Sequence, residues 1–200
     1  MSSTTRASAT STLFKQFYSY IGLAAVLLFT ACQSDSCHVK GVLSNMTEGD
    51  TLLLTTDIAT DLPSDTIIAH DGQFAWETKA DTARLCRIWT ASNPQHSATF
   101  FAERGSVSIF FDSTTTRIEG THLNDEWQAL NDSVINYSQR INRTIRCLIQ
   151  AGTPPSIVTK RSKALYQQME HCISEAAERN KDNELGRFIR SHHRPQDPIW

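Results

Sequence analysis

Residues 65–76, DTIIAHDGQFAW, decide the fold class. Two short runs of β-branched and aromatic residues flank the dipeptide Asp71-Gly72. A two-residue type I′ loop needs positive φ at both central positions, and Asp-Gly meets that demand with little strain. The stretch therefore predicts a β-hairpin with Asp71-Gly72 as its two-residue turn. Side chains alternate along a strand, so Phe74 and Trp76 share one face.

Working outward, the same texture continues on both sides. Val42, Leu52, Leu54, Ile67, Ile68, Leu85, Ile88, Trp89, Phe100, Val107, Ile109 and Phe111 fall in short β-rich runs separated by turn residues. A loop around residues 45–50 holds Gly49, and Ser92-Asn93-Pro94 marks another turn. A second hairpin is expected over 99–112, turning at Arg104-Gly105. Its return strand points Val107, Ile109 and Phe111 one way and Ser106, Ser108 and Phe110 the other. Seven or eight short strands at this spacing predict an antiparallel β-sandwich or open barrel over residues 37–120.

Near Gly120 the apolar period changes from two to 3.6. Leu123, Trp127, Leu130, Val134, Tyr137, Ile141, Ile145 and Leu148 form one helical stripe. Gly152 and Pro154-Pro155 stop it, and Ser156 is placed to cap a second helix striped by Val158, Leu165, Met169, Cys172, Ile173 and Ala176. The two predict an α-helical hairpin over 121–180. A polar break at 180–183 precedes a short third helix at 184–192, and 193–200 reads as a loose tail. The fold class is α+β, with a β-rich domain at 37–120 and a helical segment at 121–192.

The N-terminus is of a different kind. Arg6 and Lys15 precede an apolar run, and 21–31 is too short for a bilayer-spanning helix, which needs about 20 residues. The run ends in Phe29-Thr30-Ala31-Cys32. This is the layout of a signal peptide over 1–31, and its ending resembles a bacterial lipobox. The expectation is a lipoprotein whose mature chain begins at Cys32, acylated there (palmitate-type chains), with residues 32–36 as a polar tether. Several acyl chains hold a protein on a membrane where a single one exchanges. The expected location is the cell envelope, facing the periplasm or the cell surface, with the outer membrane as the site of anchoring.

Four more cysteines, Cys37, Cys86, Cys147 and Cys172, leave three pairings open. A Cys147–Cys172 bridge does not suit a regular hairpin, because antiparallel register sets Cys147 near Arg161, about 16 Å from the level of Cys172. There is no C-x-x-C. The formal net charge of −2 gives no general basic field for nucleic acid. Arg140, Arg143, Arg146, Lys160, Arg161 and Lys163 nonetheless make the helical stretch basic, and a solvated helix face accounts for them most simply.

No catalytic set emerges. Asp65, Asp71, Glu103 and Asp112 lie at strand ends, where β-proteins ordinarily carry carboxylates, so they point to turns before acid–base pairs. His70 adjoins a turn. His171, His192 and His193 lack the separated, converging arrangement of metal ligands. No glycine-rich phosphate loop or nucleophile elbow occurs. The sequence alone therefore names no catalytic residue, cofactor site or metal site; its one candidate site residue is Cys32, for lipidation.

One resemblance adds to this. Val39-Lys-Gly-Val42, Gly49-Asp-Thr-Leu-Leu-Leu54, the stretch 65–74, Phe100-Phe-Ala-Glu-Arg-Gly105, Ile118-Glu-Gly-Thr121 and Asn124 resemble a domain of unknown function of Bacteroidetes envelope lipoproteins. That domain usually precedes a thioredoxin-like (AhpC/TSA) domain, which is absent from this sequence. The resemblance implies a β-rich module and carries over no catalytic residues. Together these readings predict a membrane-anchored, non-catalytic binding or accessory module. The alternative is a truncated member of a thioredoxin-like or peroxiredoxin-like thiol–disulfide oxidoreductase family. Expected partners are the membrane, through Cys32, and another protein or a second copy, through an apolar strip around 141–148 and 158–165 of the helical hairpin. Nucleic acid is not expected.

Overall fold

A computed structural model describes residues 35–44, 50–60, 62–112 and 115–193. The expected signal peptide, Cys32, most of the expected tether, residues 45–49 and the residues beyond His193 lie outside the described residues. The described residues form one compact unit.

Eight strands come first: β1 (Ser36–Leu43), β2 (Thr51–Thr55), β3 (Asp65–Ile68), β4 (Gln73–Lys79), β5 (Arg84–Thr90), β6 (Asn93–Ala102), β7 (Gly105–Phe111) and β8 (Thr116–Glu119). Three helices follow: α1 (His122–Gln150), α2 (Pro155–Arg179) and α3 (Glu184–His192). The strands make two open four-stranded sheets, ordered β4-β1-β7-β8 and β3-β2-β5-β6. The α+β class, with an open two-sheet β-domain ahead of helices, is as the sequence predicts.

The expected hairpin over 65–76 does not form, although its left-handed turn at Asp71-Gly72 does. His70 and Gln73 bridge, and both central residues are left-handed, with φ of 50° and 69°. Its flanking strands then part. β3 joins β2 in one sheet, while β4 joins β1 in the other. The turn is thus a corner between layers, braced at its open end by Trp76 Nε1, which donates to Asp65 Oδ2 at 2.7 Å.

The expected hairpin over 99–112 does not form. β6 pairs with β5, and β7 pairs with β1 and β8, so Arg104-Gly105 is likewise a crossing between sheets. The β1–β7 pairing is parallel, in register from Cys37 with Gly105 to Leu43 with Phe111, which makes that sheet mixed and not purely antiparallel. The chain changes sheets four times, between β1 and β2, β3 and β4, β4 and β5, and β6 and β7, and so supplies both faces of a single core. Val39, Leu52, Leu54, Phe74, Ile88, Phe100, Val107, Ile109 and Phe111 fill it. In β7 the alternation is the predicted one, with Val107, Ile109 and Phe111 buried and Phe110 exposed. Phe74 crosses β1 over Gly41. A Cβ on Gly41 would stand 2.0 Å from Phe74 Cε1, so only hydrogen fits there.

Phe100 and Phe101 are both fully buried because β6 has a layer on each side. Phe100 enters the sandwich core, while Phe101 faces the helices with Leu123, Leu130, Ile173, Ala176, Leu185 and Ile189. The helices thereby cover the outer face of the β3-β2-β5-β6 sheet near Leu85 and Phe101. Pro154 caps α2, and Pro155 begins it in place of a Ser156 cap: Pro is preorganised for the first helical turn, where its missing N–H costs nothing. Asn183 caps α3, accepting from Gly186 N at 3.1 Å.

The first turns of α1 are bonded to both sheets. Asn124 Oδ1 accepts from Phe101 N and its Nδ2 donates to Phe101 O, each at 2.8 Å. Trp127 Nε1 donates to Thr99 O at 3.1 Å, and Ile118 N donates to Gln128 Oε1 at 2.8 Å. Glu103 Oε1 accepts from Leu123 N at 2.6 Å. Farther along, α1 is paired with α2, and Ser138 Oγ lies 4.0 Å from Met169 Sδ. Among the described residues no buried side-chain nitrogen or oxygen lacks a hydrogen-bond partner.

Candidate functional site

With the helices on one sheet, the outer face of the other, β4-β1-β7-β8, carries a concave, largely apolar surface. Residues pointing away from the core on adjacent strands line up by register: Lys40 beside Ala75 and Ser108, Val42 beside Gln73 and Phe110. With Ile68 and His70 from the layer-crossing corner they line an open groove of about 680 Å³. Val42 is 45% exposed, Phe110 41% and Ile68 56%, high for side chains of this kind standing together. Lys40 and His70 supply the polar groups able to carry positive charge, and Gln73 and Ser108 offer neutral hydrogen bonds. Such a surface can hold an apolar group and orient a carboxylate; it contains no nucleophile paired with a base.

The carboxylates singled out in the sequence serve the fold. Asp65 holds the Trp76 indole, Glu103 caps the start of α1, and Asp71 occupies the left-handed corner. The backbone of Asp112 donates to Thr115 O and accepts from His96 Nε2. The histidines singled out near the C-terminus, His171, His192 and His193, do not converge. His171 pairs with Glu175 at 3.3 Å, His193 with Glu170 at 2.6 Å, and His192 contacts Ser191 Oγ and Phe188 O. Among the described residues no group of three or more His, Cys, Asp or Glu is placed to hold a metal ion.

The thiols divide by depth. Cys37 and Cys86 are fully buried in the sandwich core, Cys172 is half-buried and Cys147 exposed, and all four are free. Loss of water around the thiolate pushes Cys37 up to about 11 and Cys86 up to about 12. The backbone hydrogen bond at Glu103 pulls Cys37 the other way, and Arg84 does so for Cys86, without overcoming burial. Such thiols stay protonated near neutrality and pack as small apolar groups.

On the hairpin, Ile141 is buried at 1% exposure, whereas Ile145 and Leu148 are half-buried. Among the described residues, the large apolar side chains exposed on the helices are Ile135, Ile149 (63%) and Ile157 (44%). No helix among the described residues is long and apolar enough to cross a membrane.

The sequence points neither to Val42, Ile68 and Phe110 as a group nor to Asn124 with Gln128 as partners of strand edges. A signal existed for the second pair, since they stand four apart on the buried side of α1 among Leu123, Trp127 and Leu130. Residues 37–127 match a family described as Domain of unknown function (DUF4369). The matched segment takes in both sheets and ends at Trp127, within the turns of α1 that bond to β6. No curated protein matches the chain.

Proposed function

We propose that this chain is an envelope lipoprotein module, lipid-anchored at Cys32, that binds a partner and does no chemistry of its own. The groove on the β4-β1-β7-β8 face is the observation that carries the binding half: Val42, Ile68 and Phe110 stay open to solvent beside Lys40. Its occupant is an extended segment of another envelope protein, apolar along the floor and bearing a carboxylate for Lys40. An open groove lined by three adjacent strands suits a polypeptide better than an enclosed small molecule. Anchoring is supported by the lipobox-like Phe29-Thr30-Ala31-Cys32 after a short apolar run. The non-catalytic half is supported by the burial and raised pKa of Cys37 and Cys86 and by the structural use of Asp65 and Glu103. The sequence resemblance to a domain of Bacteroidetes envelope lipoproteins adds support for a place in the periplasm or on the outer membrane.

The anchor is tested by fractionation and intact mass. The expected result is an acylated species in the membrane fraction that Cys32→Ala abolishes; a native chain wholly soluble in the periplasm overturns it. The groove is tested by a photo-crosslinking residue at Phe110 in cells. One discrete protein adduct, lost on Val42→Asp, is expected, and absence of any adduct rejects the groove as the binding surface. Turnover in an insulin-reduction or peroxide assay would replace the binding reading with that of a thiol–disulfide oxidoreductase.

A further inference from the structure

Residues 133–169 contain no Asp or Glu but hold Arg140, Arg143, Arg146, Lys160, Arg161 and Lys163, in a chain whose net charge is −2. Asp132 and Glu170 bracket the segment. It is the distal half of the α1–α2 hairpin, and all six cations are exposed. At its end α1 closes on Gly152, with φ of 69°, Thr153 N bonded to Leu148 O and Gly152 N to Ile149 O, each at 3.0 Å. This is a Schellman-type stop. It sets Ile149 as the last apolar residue of α1 and Ile157 as the first of α2, one on each side of the turn and both exposed.

At 1.5 Å per residue, Arg146 lies about 5 Å behind Ile149, and Lys160 and Arg161 about 5–6 Å behind Ile157. Arg143 and Lys163 follow about 9 Å back on their helices. A convex apolar tip is thus followed, one turn later, by a positive collar on both helices. A stable protein interface buries about 800 Å² per partner in a complementary patch, and two isoleucines at the end of a hairpin present far less. A fluid surface with an apolar interior and negative headgroups matches both the tip and the collar.

We infer that the tip of the α1–α2 hairpin docks on an anionic lipid surface, with Ile149 and Ile157 entering the headgroup zone and Arg143, Arg146, Lys160 and Arg161 pairing with lipid phosphates. The contact deepens the proposed envelope location by giving the module a second point of attachment, and so a fixed orientation on the membrane.

The test uses the full chain carrying Cys32→Ala and Cys172→Ser, which leaves Cys147 as its exposed thiol, labelled with an environment-sensitive fluorophore. The label reports its own surroundings however the rest of the chain reaches the vesicle. A failed anchor at Cys32 and a failed tip are therefore read separately. On phosphatidylglycerol-containing vesicles the emission is expected to shift to the blue and to be quenched by spin-labelled lipid; on pure phosphatidylcholine vesicles it is not. Each of Arg143→Gln, Arg146→Gln and Lys160→Gln should weaken the response about fivefold, with unchanged helicity by circular dichroism. Ile149→Ser with Ile157→Ser should remove the blue shift. A label that stays in water on both vesicles, or responds equally on both, overturns the inference. So does a response to polyglutamate or duplex DNA without one to vesicles.

Discussion

Asn124 on α1 and Phe101 on β6 are joined by two hydrogen bonds of 2.8 Å, in which one side-chain amide satisfies both backbone groups of a strand residue. Asn124 Nδ2 also donates to Thr121 Oγ1 at 2.7 Å, and Asn124 is fully buried. Each buried backbone group left unpaired costs about 1–3 kcal/mol. Asn124→Ala is expected to lower unfolding free energy by about 2–5 kcal/mol in urea titration. Asn124→Asp keeps the acceptor but faces Phe101 O with a second oxygen, so it should not restore stability. An Asn124→Ala loss below about 1 kcal/mol would contradict this account.

Gly41 and Phe74 test the packing of the sandwich. Gly41→Ala drives a methyl into the Phe74 ring and to 2.9 Å from Ile109 O. Overpacking of this kind costs about 1–3 kcal/mol. Phe74→Leu alone also destabilises, but the double variant should lose less than the sum of the two, because the shorter side chain vacates the space. Additive losses in the double-mutant cycle would show that the clash is not the cause.

The buried thiols predict an alkaline limit to stability. Between the ordinary thiol value of 9.0 and the raised values of about 11 and about 12, the unfolded chain gives up protons that folded Cys37 and Cys86 keep. The stabilisation is therefore complete below pH 9.0 and is lost as pH rises through that window. The limiting slope is about 1.4 kcal/mol per pH unit per thiol. Chemical denaturation from pH 8 to 11 should show stability falling faster in the native chain than in Cys86→Ala. Parallel curves would mean that Cys86 does not contribute.

Phe188 holds α3 in place. Its ring meets Trp127 edge-on at 5.3 Å and Phe101 at 6.3 Å. Phe188→Ala should release α3 before the rest of the fold, seen as earlier tryptic cleavage at Arg187 or Arg190 with the β-domain intact. The whole-chain loss is expected near 2–3 kcal/mol, below that of a fully buried Phe, because Phe188 is half-buried. Cleavage spread evenly along the chain would instead mean that α3 unfolds together with the sandwich.

What could be read beforehand followed from local rules. Asp71-Gly72 announced its left-handed turn, the alternation of Val107, Ile109 and Phe111 announced a strand with one buried face, and the stripe from Leu123 announced α1. Sheet membership was not legible at the same turns, because a tight turn fixes where the chain reverses and not which neighbour each strand then finds. The parallel pairing of Cys37 with Gly105 is set by core closure between distant strands. The groove was hidden for a related reason. Val42 and Phe110 look like ordinary strand residues until it is known that the helices cover the other sheet. Ile141 was expected near the open part of the hairpin, yet it is buried, and exposure moves to Ile149 and Ile157 at the turn.

The seating of α1 has a consequence for assembly. β6 and β8 are the terminal strands on one side of their sheets, and their outward-facing groups at Thr99, Phe101 and Ile118 are occupied by Trp127, Asn124 and Gln128. Vacant strand edges invite pairing with other chains, a route to aggregates and fibrils. The side chains of a single helix act here as a stopper on that growth. The other borders of the two sheets, β3 and β4, are where a strand recruited from outside finds an edge without this helix across it.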